Sequence, residues 1–201
     1  MKPSVVRTGA TVTMILAMLV TGCASSPDVE YYTLSPQAVG ASSTSDQEIA
    51  LAVGPADFPR ALNRVRMMTR SSDNRVTYDE FNRWAGTLAT DFLATTATNL
   101  SRILGSDHVV VYPTPPTFPI KYRVTFDVQR FDADANGNVT LETRWSLVDG
   151  ETGDVLELNH FSTTRTGSAD DYESSAAAHS AAVAELSQVI ADHMRSDAGT
   201  G

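Results

Sequence analysis

Tyr122-Arg123-Val124-Thr125-Phe126-Asp127-Val128 and Val139-Thr140-Leu141-Glu142-Thr143-Arg144-Trp145-Ser146-Leu147 decide the fold. In the first stretch Tyr122, Val124, Phe126 and Val128 alternate with polar or charged neighbours. In the second, Val139, Leu141, Thr143, Trp145 and Leu147 do the same. A period of two places one set on each side of an extended chain, so each stretch predicts an antiparallel strand with one covered face. Between them lies Asp132-Ala133-Asp134-Ala135-Asn136-Gly137. These residues match the first half of an EF-hand loop, but position twelve is Thr143 where a bidentate Glu is needed, and the flanks are strands. Asn136-Gly137 between alternating segments instead predicts a type I′ hairpin turn and no calcium site.

Weaker elements continue on both sides. Downstream, Asp149-Gly150 marks a turn into a strand over 155–164. Ser168 with Asp171 then reads as a variant capping box for a helix whose stripe is Tyr172, Ala176, Val183, Leu186, Ile190 and Met194. Upstream, Trp84, Leu88, Phe92, Leu93, Ala97, Leu100, Ile103 and Leu104 recur at spacings of three and four. They predict a helix over 83–104, ended by Gly105. Short strands are expected at 31–34, 49–53, 65–69, 76–78 and 108–112, with a flexible loop over 37–47. The sum is an α+β domain, a mostly antiparallel sheet with two long amphipathic helices packed against it.

The chain has 201 residues, 42% of them hydrophobic and 19% charged, which is the composition of a globular domain. Its N-terminus is different. Lys2 and Arg7 precede a short apolar run, Val12 to Val20, too short for an ordinary transmembrane helix. The run ends in Leu19-Val20-Thr21-Gly22-Cys23, which resembles the bacterial lipobox. The expected organisation is a lipoprotein signal peptide over 1–22, a lipidated Cys23 with a tether to residue 30, a single domain over 31–196 and a frayed end over 197–201. Acyl chains such as palmitate on Cys23 would anchor firmly, each buried CH₂ contributing about 0.8 kcal/mol. Ala24, where an inner-membrane retention signal would place Asp, points to the outer membrane, with the domain facing the periplasm. Cys23 is the single cysteine, so neither a disulfide framework nor a cysteine-cluster metal site can form within the chain.

Loss of Lys2 and Arg7 with the signal peptide leaves 13 basic against 24 acidic residues, a formal −11 that argues against nucleic-acid binding. Residues 60–75 stand apart. Arg60, Arg64, Arg66, Arg70 and Arg75 face only Asp73, a local +4. Such a patch steers toward an acidic partner or anionic lipid headgroups. Arg64, Arg66, Met68 and Arg70 share one side of the expected strand. With Arg83 and Trp84 they form the candidate partner-binding set, because Arg and Trp are enriched in binding hot spots. The rival expectation makes Trp84 the first residue of the buried helix stripe. His108, His160, His179 and His193 lack metal-ligand spacing and read as structural. The sequence holds no nucleophile elbow, phosphate loop or dinucleotide fingerprint, and the carboxylates are scattered. No enzyme, catalytic residue, metal or cofactor is expected.

Tyr31-Tyr32-Thr33-Leu34-Ser35-Pro36 shortly after the lipobox resembles the opening of the auxiliary lipoprotein family of ABC-type transporters, the PqiC/YmbA group. The resemblance continues through Ile49–Pro55, Tyr78-Asp79-Glu80-Phe81-Asn82-Arg83-Trp84-Ala85, Asp91-Phe92, Asn99-Leu100 and Val109–Pro113. It takes in Tyr122-Arg123-Val124, Phe131-Asp132 and Trp145-Ser146-Leu147, and so spans nearly all the mature chain. It implies a non-catalytic outer-membrane lipoprotein. Such a protein works with an MCE-domain periplasmic protein and an inner-membrane transporter component in lipid movement and envelope integrity. Self-association as a homo-oligomer is a further expectation. A lipid-binding chaperone and a structural envelope lipoprotein are the alternatives.

The lipobox gives the first prediction. Intact mass of membrane-extracted protein should correspond to a chain that begins at an acylated Cys23, and Cys23→Ser should block processing and anchoring. An unmodified mature terminus elsewhere would refute the assignment.

Overall fold

A computed structural model describes residues 27–37, 49–115 and 117–198. The expected signal peptide, Cys23, the loop over 38–47 and the last three residues lie outside the described residues. The elements in chain order are β1 (Glu30–Tyr32), β2 (Leu51–Asp57), β3 (Arg66–Ser72), β4 (Arg75–Trp84), α1 (Leu88–Leu104), β5 (Val109–Val111), β6 (Tyr122–Asp134), β7 (Val139–Asp149), β8 (Val155–Arg165) and α2 (Tyr172–Ala198).

All eight strands join one sheet. Its long pairings are antiparallel. β6 runs along β7 from Tyr122↔Asp149 to Ala133↔Val139, β7 continues to β8, and β3 and β4 form a hairpin. Shorter parallel pairings join β1 to β4, β2 to β5, β2 to the first half of β6, and β3 to Ala133 and Asp134 of β6. β1, β4, β3, β6, β7 and β8 therefore follow one another across the sheet, with β1 and β8 at opposite edges. The expected α+β architecture is present, and the sheet is mixed.

β6 carries a bulge. Val128 pairs with Thr143 and Arg130 with Glu142, so Gln129 is left over. Before it Val124, Phe126 and Val128 are buried; after it Phe131 and Ala133 are. One extra residue reverses the alternation, which keeps an apolar side chain inward on both halves of a 13-residue strand. The following turn is a correction. Gly137 is the one loop residue with positive φ, at 85°, and Asn136 does not share it. A type I′ turn needs both, so this is a three-residue loop with Gly in the left-handed position. Asp134 closes it: its backbone N–H donates to the Asn138 carbonyl, and its Oδ1 accepts from the N–H groups of Asn136 and Asn138, each at 2.8 Å. These donors use the carboxylate as a turn brace, and they outweigh burial to hold Asp134 below the usual carboxylate range. A Cβ on Gly137 would lie 2.2 Å from the Ser168 carbonyl carbon, so the tip rests on the segment that leads into α2.

Both helices cover the inward face. α1 packs on β2 and β5, α2 on β7 and β8, and the helices pack on each other. At the centre Phe92 meets Phe58, Phe126 and Phe131 edge-on at 5.4, 5.1 and 6.0 Å between ring centroids. Full burial of one such ring contributes roughly 1.5–3 kcal/mol. α1 starts later than the periodicity predicts. Thr87 is its N-cap, accepting from the Thr90 N–H, and Trp84 belongs to β4. Its C-terminus is as expected, with Gly105 in the left-handed conformation. Two threonines of this helix satisfy their hydroxyls within it, Thr96 and Thr98 donating to the carbonyls of Phe92 and Ala94. The cap of α2 is Asp171, not Ser168: its Oδ1 accepts from the N–H groups of Glu173 and Ser174.

After β1 the chain crosses both helices. Thr33 donates to Asp91 of α1 and the Ser35 N–H donates to Ser180 of α2. Arg102 of α1 donates to the Pro36 carbonyl, and Leu34 is buried between these contacts. The segment that enters from the N-terminus is thus fastened to the sheet edge and to both helices.

Candidate functional site

Residues 60–75 enter and form the β3–β4 hairpin. Met67 is buried and Arg66 is exposed; Met68, half-buried across from Tyr78, packs against the margin of the core, and Arg70 is half-buried. Arg70 is already engaged. Its Nε and Nη2 donate to the two carboxylate oxygens of Asp132, both at 3.1 Å, and Arg130 Nε adds a third bond at 3.2 Å. Asp132 is 1% exposed, so two arginines neutralise a carboxylate that water does not reach. The bond to Asp132 raises the Arg70 pKa. Arg70 is a structural brace between β3 and β6.

Trp84 is the second correction. It ends β4 with its ring inward, edge-on to His179 at 5.1 Å, and its backbone N–H donates to the Val65 carbonyl. A ring so buried is no anchor for a partner. It is not the start of a helix stripe either, since the stretch 78–84 is extended. Asp79 orders that stretch. Its Oδ1 accepts from the N–H groups of Phe81 and Asn82 and from the Asn82 amide, and its Oδ2 from the Tyr172 hydroxyl at 2.8 Å. Burial alone would raise its pKa, but these donors hold it low, while burial and Asp79 push Tyr172 up to about 12. Tyr32 donates to Asn82 as well. The Tyr78–Trp84 stretch is therefore a knot that joins β1, β4 and α2.

Three arginines of the candidate set stay on the surface. Arg66 lies directly opposite Arg83 across β3 and β4, and Tyr31 of β1 lies beside Arg83 on its other side. Arg64 stands over the Tyr78 ring at 5.3 Å. Arg83 Nη2 donates to the Glu80 carbonyl, and its Nε is buried without a partner. Among the described residues none of Arg60, Arg64, Arg66 and Arg83 has a carboxylate in ion-pair range. Like charges directly opposite on paired strands are destabilising. Tyr31, which composition alone did not single out as a contact, is 63% exposed.

The far edge of the sheet exposes apolar side chains at the start of β8. β8 pairs only with β7, and Leu156 and Leu158 are 48% and 68% exposed on its helix-free side. On the helix side, β8 ties to α2 through Glu157–His193 and Arg165–Glu185. A groove of about 740 Å³ lies at the opposite edge, between β1 and the start of α2, where Glu30, Asp171 and Glu173 make it acidic. Asn99, fully buried in α1, leaves both amide atoms unpartnered. Among the described residues no group of three His, Cys, Asp or Glu side chains is placed to hold a metal ion.

The chain belongs to the family of ABC-type transport auxiliary lipoprotein components, whose family model matches residues 32–191. The family description is that of an auxiliary component, the role that the resemblance in the sequence implied. No curated protein matches the chain. One similar solved structure is an uncharacterised protein, 21% identical with a TM-score of 0.69 over 84% of this chain and 99% of that one. Another is protein XCC0632 from Xanthomonas campestris, 16% identical with a TM-score of 0.68 over 85% of this chain and all of that one. At these identities the likeness is one of fold.

His179 supplies a pH test. It is buried between Trp84 and Phe131, with Nδ1 donating to the Ser175 carbonyl, and burial lowers its pKa from 6.5 to about 4. The unfolded chain takes up this proton first as pH falls. The stability contributed by the neutral ring is complete above about pH 6.5 and is lost as pH drops toward 4, a loss of about 2 kcal/mol by about pH 5. Asp79 and Asp134 titrate below this window. Urea unfolding at about pH 7 and about pH 5 should show the drop in the wild type and not in His179→Phe. Equal drops in both would assign it elsewhere.

Proposed function

We propose that this chain is the outer-membrane lipoprotein subunit of a periplasm-spanning lipid transport and envelope-integrity system. Residues 1–22 direct export, acyl chains on Cys23 hold the protein in the outer membrane, and the domain faces the periplasm. Its partners are an MCE-domain periplasmic protein and, through it, an inner-membrane transporter component. Family membership supports the auxiliary role, and the lipobox supports the anchor.

The observation that carries this reading is the asymmetry of the sheet. One face is closed by α1 and α2 over a filled aromatic and aliphatic core. No described element covers the other, and it ends at β8 in Leu156 and Leu158. A chaperone that encloses lipid needs an apolar cavity, whereas the groove beside β1 is open and lined by acidic and polar groups. An unpaired strand edge with apolar side chains suits main-chain pairing with a second protein. β1 carries the anchor edge and β8 is the far edge of the same sheet. The five spacings between these six strands, about 4.8 Å each, separate the two edges by roughly 24 Å, so the docking edge is held away from the membrane.

A photo-reactive amino acid at position 158, used in cells with the native lipoprotein, should crosslink to an MCE-domain protein. The same group at Asp192, on the helical side, should not. Adducts only with unrelated envelope proteins at position 158 would refute the assignment.

A further inference from the structure

The arginine corner at the β1 edge has a ligand chemistry of its own. Tyr31, Arg83 and Arg66 form one row across β1, β4 and β3 on the helix-free side. Arg64 and the Tyr78 ring border it, and Val65 beside them is 49% exposed. The side chains are cationic or amphipathic, and the cations have no carboxylate partners among the described residues. An acidic groove, with Glu30, Asp171 and Glu173, lies on the helical side of the same edge. The β1 edge is therefore positive on one side and negative on the other.

We propose that Tyr31, Arg64, Arg66 and Arg83 seat on the phosphate headgroups of anionic phospholipid in the leaflet that holds the anchor. The inference rests on the lipidation of Cys23 proposed above. Cys23 precedes Tyr31 by eight residues, which can span at most about 28 Å of extended chain, so the row is kept within reach of the headgroups. Guanidinium groups match phosphate with paired N–H donors, and tyrosine favours the membrane–water boundary, where its ring meets acyl chains and its hydroxyl meets water. The same corner explains why Arg66 tolerates Arg83 across the ladder: phosphate between them supplies the missing counter-charge. An acidic protein would satisfy the charges equally well, but position next to the anchor favours lipid. Seated this way, the domain turns its acidic groove and helices away from the surface and leaves β8 free.

The test uses the full lipoprotein, purified from membranes, with Tyr31→Trp as reporter. Trp84 and Trp145 are buried and give a constant background. The protein is reconstituted into vesicles of phosphatidylcholine with brominated acyl chains, with and without phosphatidylglycerol, and only the fraction that floats with vesicles is measured. Failure to float would overturn the anchor reading and this inference with it. In the floated fraction, bromine quenching of the Trp at position 31 should be greater with phosphatidylglycerol. At about 1 kcal/mol per arginine near an anionic surface, loss of the Arg66 charge alone is worth roughly fivefold, and the reversal Arg66→Glu should lower the ratio of seated to free protein by at least that factor. Arg66→Glu faces Arg83 and gains an ion pair, so the fold is retained, and circular dichroism checks this. Equal quenching in both vesicle types, unchanged in Arg66→Glu and in Arg64→Glu, would overturn the headgroup seat while leaving the anchor intact.

Discussion

The structure depends on β6 being paired along both edges. On one edge it runs against β7 from end to end; on the other it is divided between β2 and β3. Everything that reaches the sheet from the N-terminal half does so through that divided edge. A strand this central must keep an apolar face inward along its whole length, and the bulge at Gln129 makes that possible while the edge changes partners. Arg70 and Arg130 close on Asp132 just beyond the bulge, where β3 arrives. Removing one arginine would leave a desolvated carboxylate short of compensation, which is far more costly than the loss of a surface pair.

The strands that decide the fold were legible because both are half-buried, and period two is visible when one face meets water. The sites of failure have physical reasons. The inward set of β6 changes parity at Gln129, and nothing in residue type marks the extra position. Trp84 is in phase with the α1 stripe by coincidence; its inward direction comes from pairing with β1 and from the Asp79 knot, both set by distant residues. Asn136-Gly137 predicted a hairpin correctly and its turn type incorrectly, because Asp134 supplies the bracing that selects the three-residue loop. The parallel pairings of β1, β2, β3 and β5 were not legible, since short strands do not encode their neighbours. Of the candidate contact residues, Arg64 and Arg66 are exposed, Arg83 is half-buried, Met68 packs against the margin of the core, Arg70 is bound to Asp132, and Trp84 is core. Tyr31 had to be found through register, because its place beside Arg83 exists only in the folded chain.

Charge follows the same division. The chain is strongly acidic, yet the row of β1, β4 and β3 on the helix-free side carries Arg83 and Arg66, while Glu30, Asp171 and Glu173 line the groove on the helical side of the same edge. The strap over residues 33–37 ties the N-terminal segment to α1 and α2 as well as to β4. A pull at the N-terminus is therefore met by the sheet edge and both helices together. In the proposed reading the sheet has one edge for the membrane and one for a partner, while its covered face packs the core.

Residue-resolved hydrogen exchange of the purified protein tests the central place of β6 most directly. Amides of Val124, Phe126, Leu141 and Trp145 should exchange only through global unfolding, while those of Tyr31, Tyr32 and the outer edge of β8 open at lower free energy. If β6 and β7 opened before β1 or β3, the sheet would not be organised around that strand and the account would be contradicted.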